Sequence, residues 1–246
     1  MSIEVQDIRK SFGDREVLKG ISFYFQDRTV NMIIGSSGSG KTVLVKCIVG
    51  LLKPDSGRVL FDGQSLHEMK GQQVRKLRQN IGMLFQSSAL FDSKTVNENI
   101  AFPMFMFGNM NLTEIQKRTE FCLERVNLPN AGDLLPAALS GGMKKRVGLA
   151  RAIALNPKYL ICDEPNSGLD PETAAVIDAL IKELTLEFNM TTLVISHDMK
   201  SVMDIGDHIL YIYEGEKGWE GKGKEILKAD NPILQRFIHT TGLAGV

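Results

Sequence analysis

Apolar and polar residues alternate from the start of the chain. Ile3, Val5 and Ile8 begin one predicted strand, and Val17 to Phe25 forms a second with Ile21, Phe23 and Phe25 on a single face. Asn31 to Ile34 is a short apolar strand ending at Gly35, and a Gly/Ser loop then leads into a helix over Thr42 to Val49. Val59 to Phe61 and Ile81 to Phe85 read as further strands. Between about Ser87 and Ala138 the pattern turns helical and Met-rich. Strand character returns at Tyr159 to Cys162, Thr192 to Ile195 and Ile209 to Tyr213, each separated by a helical stretch. Such alternation predicts an α/β fold with a largely parallel sheet covered on both faces, carrying an inserted helical subdomain.

Length and composition narrow this picture. The 246 residues suffice for one well-buried domain, and 43% apolar with 24% charged residues is an ordinary globular mixture. Twenty-nine basic and 29 acidic side chains cancel, which removes the main electrostatic argument for a nucleic-acid partner. The local basic trio Lys144, Lys145 and Arg146 reads as a solvated helix face. Cys47, Cys122 and Cys162 are odd in number and far apart, so the expectation is reduced thiols rather than a disulfide framework or a zinc site. The first residues lack the apolar run of a secretory signal. The longest apolar run, Ile100 to Phe107, is shorter than a membrane helix and contains Pro103. Any membrane role is therefore expected to be borrowed from a partner.

Three stretches carry chemistry. Gly35-Ser36-Ser37-Gly38-Ser39-Gly40-Lys41-Thr42 matches GxxxxGK[ST] between an apolar strand and a helix. Its glycines let backbone N–H groups wrap phosphates, the helix start favours an anion, Lys41 reaches the β and γ phosphates, and the Thr42 hydroxyl suits Mg²⁺. Tyr159-Leu-Ile-Cys-Asp163-Glu164 is an apolar strand ending in two carboxylates, suiting Asp163 to the metal shell and Glu164 to polarising a water. Leu139-Ser140-Gly141-Gly142-Met143 opens a helix with a good N-cap and exposed N–H groups. Read plainly it is a capped helix start; read functionally it is a second anion site, one more than a single phosphate pocket needs, and points to a partner subunit whose nucleotide it would contact.

With these motifs in order, the chain resembles the ABC ATPase family over nearly its whole length. The Walker A segment matches Gly35 to Thr42, the signature Leu139 to Met143 and Walker B Tyr159 to Glu164. The Q-loop glutamine matches Gln86, the D-loop Ser167-Gly-Leu-Asp170, the switch histidine His197, and Phe12 stands where the family places an aromatic that stacks on adenine. The resemblance implies a P-loop NTPase (RecA-like) core with an N-terminal antiparallel β subdomain. It also implies a single ABC ATPase domain whose ATP-binding core is 1–86 and 158–246, with a helical subdomain at 87–157. It makes Glu164, His197, Lys41 and Gln86 the catalytic set. Phe12, Gly35 to Thr42, Val43, Ser140, Gly141, Gly142 and Asp170 would bind nucleotide, and Thr42, Gln86 and Asp163 would hold Mg²⁺. Two departures stand out: Met143 replaces the commoner glutamine, and Phe12 the more usual tyrosine. His67, His208 and His239 have no comparable support.

The same resemblance implies an ATP-bound, head-to-tail homodimer and a separate integral-membrane permease. The chain would then sit on the cytoplasmic face of the inner membrane. The segment Phe102-Pro-Met-Phe-Met-Phe107 with Met110 is the expected dock. Asn97 to Pro103, the Met143 signature, Glu164 to Pro171 and Asn231 to Phe237 are most similar to ATPases of Mla-type phospholipid transporters. Those work with an MCE protein and a small STAS-type subunit. ATPases that drive amino-acid, lipoprotein or metal transport, and the cell-division type that moves no solute, remain alternatives. Soluble ABC proteins of translation or repair fit less well, since one motif set and no sustained heptads are present. A small-molecule P-loop kinase leaves Leu139 to Met143 unexplained.

Overall fold

The computed structural model describes residues 2–241. In chain order the first elements are β1 (Ile3–Phe12), β2 (Arg15–Phe25), β3 (Val30–Ile34), α1 (Lys41–Ile48), β4 (Ser56–Phe61), β5 (Gln64–Ser65) and α2 (Gln72–Gln79). Next come β6 (Ile81–Leu84), α3 (Val96–Phe107), α4 (Leu112–Arg125), α5 (Gly141–Ile153), β7 (Tyr159–Asp163) and α6 (Pro171–Glu187). The chain continues with β8 (Thr191–Ser196), α7 (Met199–Ile205), β9 (His208–Tyr213), β10 (Glu216–Lys222) and α8 (Pro232–Thr240). It divides into two compact units, one of residues 1–78 and 191–246 and one of residues 79–190.

The first unit holds an antiparallel sheet in the order β2-β1-β4-β5. Its apolar positions explain its register. Ile3, Val5 and Ile8 are all buried although Val5 and Ile8 are three apart, because the pairing with β2 shifts between them. Asp7, at φ 47°, is the residue at which the strand slips and turns Ile8 inward. β3 is buried throughout and pairs in parallel with β8 on one side and β9 on the other. Two covered faces and two paired edges explain why all but one of its residues are apolar. Its one polar residue, Asn31, is satisfied: its amide donates to Gln26 O at 2.9 Å and its Oδ1 accepts from Gln26 N at 2.8 Å. β10 pairs antiparallel with β9.

In the second unit β6 and β7 pair in parallel, Ile81 opposite Tyr159 and Leu84 opposite Cys162. α3 and α4 both start at capping boxes, Thr95 with Glu98 and Asn111 with Glu114, so reciprocal side-chain bonds satisfy the first N–H groups. Their apolar faces, including Ile100, Met104, Cys122 and Leu123, are buried, as are Val147, Leu149 and Ile153 of α5. Arg118 of α4 closes the far end of α5 by donating to Ile153 O at 2.8 Å and Ala154 O at 3.1 Å. The three cysteines are free and buried; burial pushes the Cys47 and Cys122 thiols up to about 11 and the Cys162 thiol further. Among the described residues no helix is long and apolar enough to cross a membrane.

Candidate active site

In the first unit the loop after β3 closes on its own lysine. The Lys41 ammonium, 8% exposed, donates to Gly35 O at 2.7 Å and Ser36 O at 3.0 Å. The loop can wrap this tightly because Gly40, at φ 107°, precedes α1 where a Cβ would stand 2.8 Å from Leu18 Cδ2. Ser36, Ser37 and Gly38 stay exposed, while Ser39 Oγ is buried without a hydrogen-bond partner among the described residues. A buried hydroxyl of this kind, next to a cation and a helix start, is what an anion-binding cradle needs. Arg15, Lys19, Ser36 to Ser39 and Gly215 border a cavity of about 290 Å³. Thr42 is exposed on the first turn of α1, followed by half-buried Val43.

Phe12 ends β1 and is 49% exposed. Its approach is fixed from behind. Asp55 accepts from the Lys10 ammonium at 2.6 Å and from Ser11 N at 2.6 Å, and Lys10 Nζ lies 5.7 Å from the Phe12 ring centroid. His197 follows β8 and is exposed; the next residue, Asp198, caps α7 by accepting from Lys200 N at 2.9 Å.

In the second unit the parallel register does the positioning. Leu84 faces Cys162, so Gln86 and Glu164 each lie two residues beyond the last paired position, at the same end of the strand pair. Asp163 is the last residue of β7 and is half-buried, as is Glu164, which has φ 48°. Gln86 Nε2 donates to Ser167 Oγ at 3.3 Å, joining the two strand ends. Asp170 caps α6, accepting from Glu172 N at 3.1 Å and Thr173 N at 2.9 Å. Hydrogen bonds from the Thr173 side chain and then from backbone N–H groups hold the Asp170 carboxyl below its usual range. Ser140 is exposed and caps α5, accepting from Met143 N at 3.3 Å; Gly141 and Gly142 are the first two helical residues.

The structure therefore assembles Gln86, Asp163, Glu164 and Asp170 in one unit, together with Ser140 to Gly142. Phe12, Gly35 to Thr42 and His197 lie in the other. One sequence expectation is corrected. Lys145 is not on a solvated basic face: it is 5% exposed, and its ammonium donates to Gln86 O at 2.5 Å and Glu164 O at 3.2 Å. Lys10 and Asp55 also escaped the sequence reading, because they are distant in sequence, and Ser167 was read only as the start of the D-loop, without its bond to Gln86.

Residues 18–167 match the family described as ABC transporter. The chain belongs to the ABC transporter family. This ABC cassette is 37% identical over 236 residues to the intermembrane phospholipid transport system ATP-binding protein MlaF of Haemophilus influenzae, covering 96% of this chain and 89% of that protein. It is also 37% identical over 243 residues to the methionine import ATP-binding protein MetN of Desulfitobacterium hafniense, covering 97% and 71%. Among solved structures it resembles the ATP-binding cassette MJ0796 in its dimeric post-hydrolysis state bound to ADP and Pi. That match has a TM-score of 0.80 at 31% identity, covering 89% of this chain and 98% of that one. The fold is that of the P-loop NTPase cassettes, and the ABC subunit binds and hydrolyses ATP.

Proposed function

We propose that this chain is the nucleotide-binding subunit that powers a phospholipid transporter of the bacterial envelope, seated on a separate permease at the cytoplasmic face of the inner membrane. The observation that carries the reading is the near-full-length similarity to a phospholipid-transport ATPase. An apolar groove in the second unit supports a permease dock. It has about 290 Å³ and is lined by Met83, Phe85, Phe91, Phe102, Pro103 and Phe107 among others. Aromatic and Met side chains of this kind adapt to an inserted helix. The equal identity to a methionine-import ATPase supports amino-acid transport as the second reading.

In the proposed site the adenine stacks on Phe12, while the N–H groups of Gly35 to Thr42 and Val43 hold the phosphates with Lys41. Among the described residues no cluster of three acidic, His or Cys side chains forms a metal cage. Following the family resemblance, Thr42, Gln86 and Asp163 would hold Mg²⁺: each offers a hard oxygen donor, and the ion is bound by few protein ligands together with substrate phosphates. When bound, the ion neutralises phosphate charge. Glu164 orients the attacking water, and His197 holds the γ-phosphate side. Ser140, Gly141, Gly142 and Asp170 of a second copy complete the contacts, so that ATP bridges a head-to-tail homodimer. An MCE protein and a STAS-type subunit are the proposed further partners; nucleic acid is not.

The test is to purify the chain with its native permease, extract the bound lipid for mass spectrometry, and measure ATP turnover with phospholipid and with amino acids. Bound phospholipid that alters turnover is expected. Turnover that responds to methionine or another amino acid, with no phospholipid bound, would overturn the lipid reading.

A further inference from the structure

Helix α5 presents a face whose purpose the signature at its start does not explain. Lys145, Gly148 and Arg151 follow one another at i, i+3 and i+6, so they lie on neighbouring turns of one side. Lys145 donates to Gln86 O at 2.5 Å and Glu164 O at 3.2 Å. Arg151 donates to Ser88 O at 2.6 Å and Ala89 O at 2.7 Å. Between them Gly148 admits the crossing chain, since a Cβ there would stand 2.6 Å from Leu84 Cδ1 and 3.5 Å from Ser88 Cβ. The carbonyls so held surround strained backbone: Ser88, Ala89 and Glu164 are non-glycine residues at φ 61°, 45° and 48°.

A buried ammonium is costly to keep unless carbonyl or carboxylate oxygens offset its lost hydration. Burial pushes the Lys145 ammonium down from its ordinary value, opposed by the nearby Cys162, Asp163 and Glu164. An apolar side chain would avoid that cost, so the charge has to be explained by what it holds. It holds the main chain of two residues from different strand ends, one bearing the site's glutamine and the other its glutamate.

We propose that Lys145 is a positioning residue for ATP hydrolysis. Its ammonium ties the Gln86 and Glu164 carbonyls to α5, so that the two side chains and the signature at the helix start keep one fixed arrangement. The inference deepens the proposed site and rests on Glu164 as the group that orients water. It acts through geometry alone, since no atom of Lys145 is assigned to substrate. Misplacing a catalytic group by about 1 Å can cost on the order of 100-fold in rate.

The experiment compares Lys145→Met, Lys145→Arg and Glu164→Gln in the assembly in which the wild-type chain turns over ATP. It reads kcat, ATP affinity and melting temperature for each. Lys145→Met is expected to lose roughly 10- to 100-fold in kcat while its ATP Kd stays within about twofold. Lys145→Arg, which keeps a cation and its donors, is expected to recover most of that loss. Should Lys145→Met fail to fold, Lys145→Gln, which keeps one donor group, takes its place with the same expected split. A kcat within about twofold of wild type for the Met variant, beside an inactive Glu164→Gln, overturns the proposal and leaves the glutamate's role standing. Turnover retained in Glu164→Gln overturns the glutamate's role and the route through Lys145 with it. A parallel fall in kcat, affinity and melting temperature that arginine does not repair marks a merely structural lysine and also overturns the proposal.

Discussion

Replacing Arg151 with alanine should destabilise the protein through a segment that Arg151 touches only at main-chain oxygens. The half-buried guanidinium donates to Ser88 O at 2.6 Å and Ala89 O at 2.7 Å, two short charge-assisted bonds. Each such bond contributes roughly 1.5–3 kcal/mol, a gross value of about 3–6 kcal/mol for the pair. Two terms reduce it. Burial disfavours the charged guanidinium, so deletion relieves a desolvation cost. Released from the fork, Ser88 and Ala89 can leave left-handed backbone, recovering about 1 kcal/mol each. The net loss expected for Arg151→Ala is about 1–3 kcal/mol. Arg151→Lys, which cannot serve two carbonyls from one planar fork, should recover about half of it. Urea unfolding should show a lower midpoint with an unchanged slope, and amide exchange should quicken at residues 86–90 ahead of the rest of the unit. Stability within about 0.5 kcal/mol of wild type, with exchange at 86–90 unaltered, would refute the reasoning.

Two further outcomes follow from other parts of the site. Phe12→Ala should weaken ATP binding by roughly 5- to 100-fold, the worth of one base–aromatic stack, whereas Phe12→Tyr should bind as wild type does; titration with a fluorescent nucleotide decides, and equal affinity for all three would reject the stacking role. Asp170 bears on acid stability. Its carboxyl is depressed below the ordinary 3.8, so its contribution is present above that value and is lost as pH falls through the lower folded value. Asp170→Asn should flatten the acid limb of the stability curve below about pH 4 and leave neutral stability almost unchanged, since asparagine still caps; an acid limb identical to wild type would remove Asp170 from the account.

Much of this was legible in the sequence because it is local. The Gly35 to Thr42 loop, the apolar run of β3 and the Ser140 cap each declare themselves within a few residues. β10 and α2 do not. Glu216 to Lys222 has little apolar alternation and is a strand because β9 offers it a partner edge. Gln72 to Gln79 buries only Leu77, too little for a periodic signal. The end segment at Asn231 is a helix, with Asn231 accepting from Leu234 N and Pro232 at its first position, a start signal the sequence displayed and the reading passed over. Lys145 is the instructive failure. Three basic residues in a row suggest a wet face, and only the ends of β6 and β7, brought beside α5 by folding, supply the carbonyls that make a buried ammonium tolerable. The cation–glycine–cation spacing of Lys145, Gly148 and Arg151 was its one visible trace.

The central claim is that MgATP bridges the glycine loop of one copy and the Ser140 helix start of another until hydrolysis frees them. Sedimentation of purified Glu164→Gln chain with and without MgATP tests it most directly. The prediction is one-chain mass without nucleotide and two-chain mass with it, reverting when Ser140→Arg blocks the helix start. A Glu164→Gln chain saturated with MgATP that still sediments as a single copy would contradict the account.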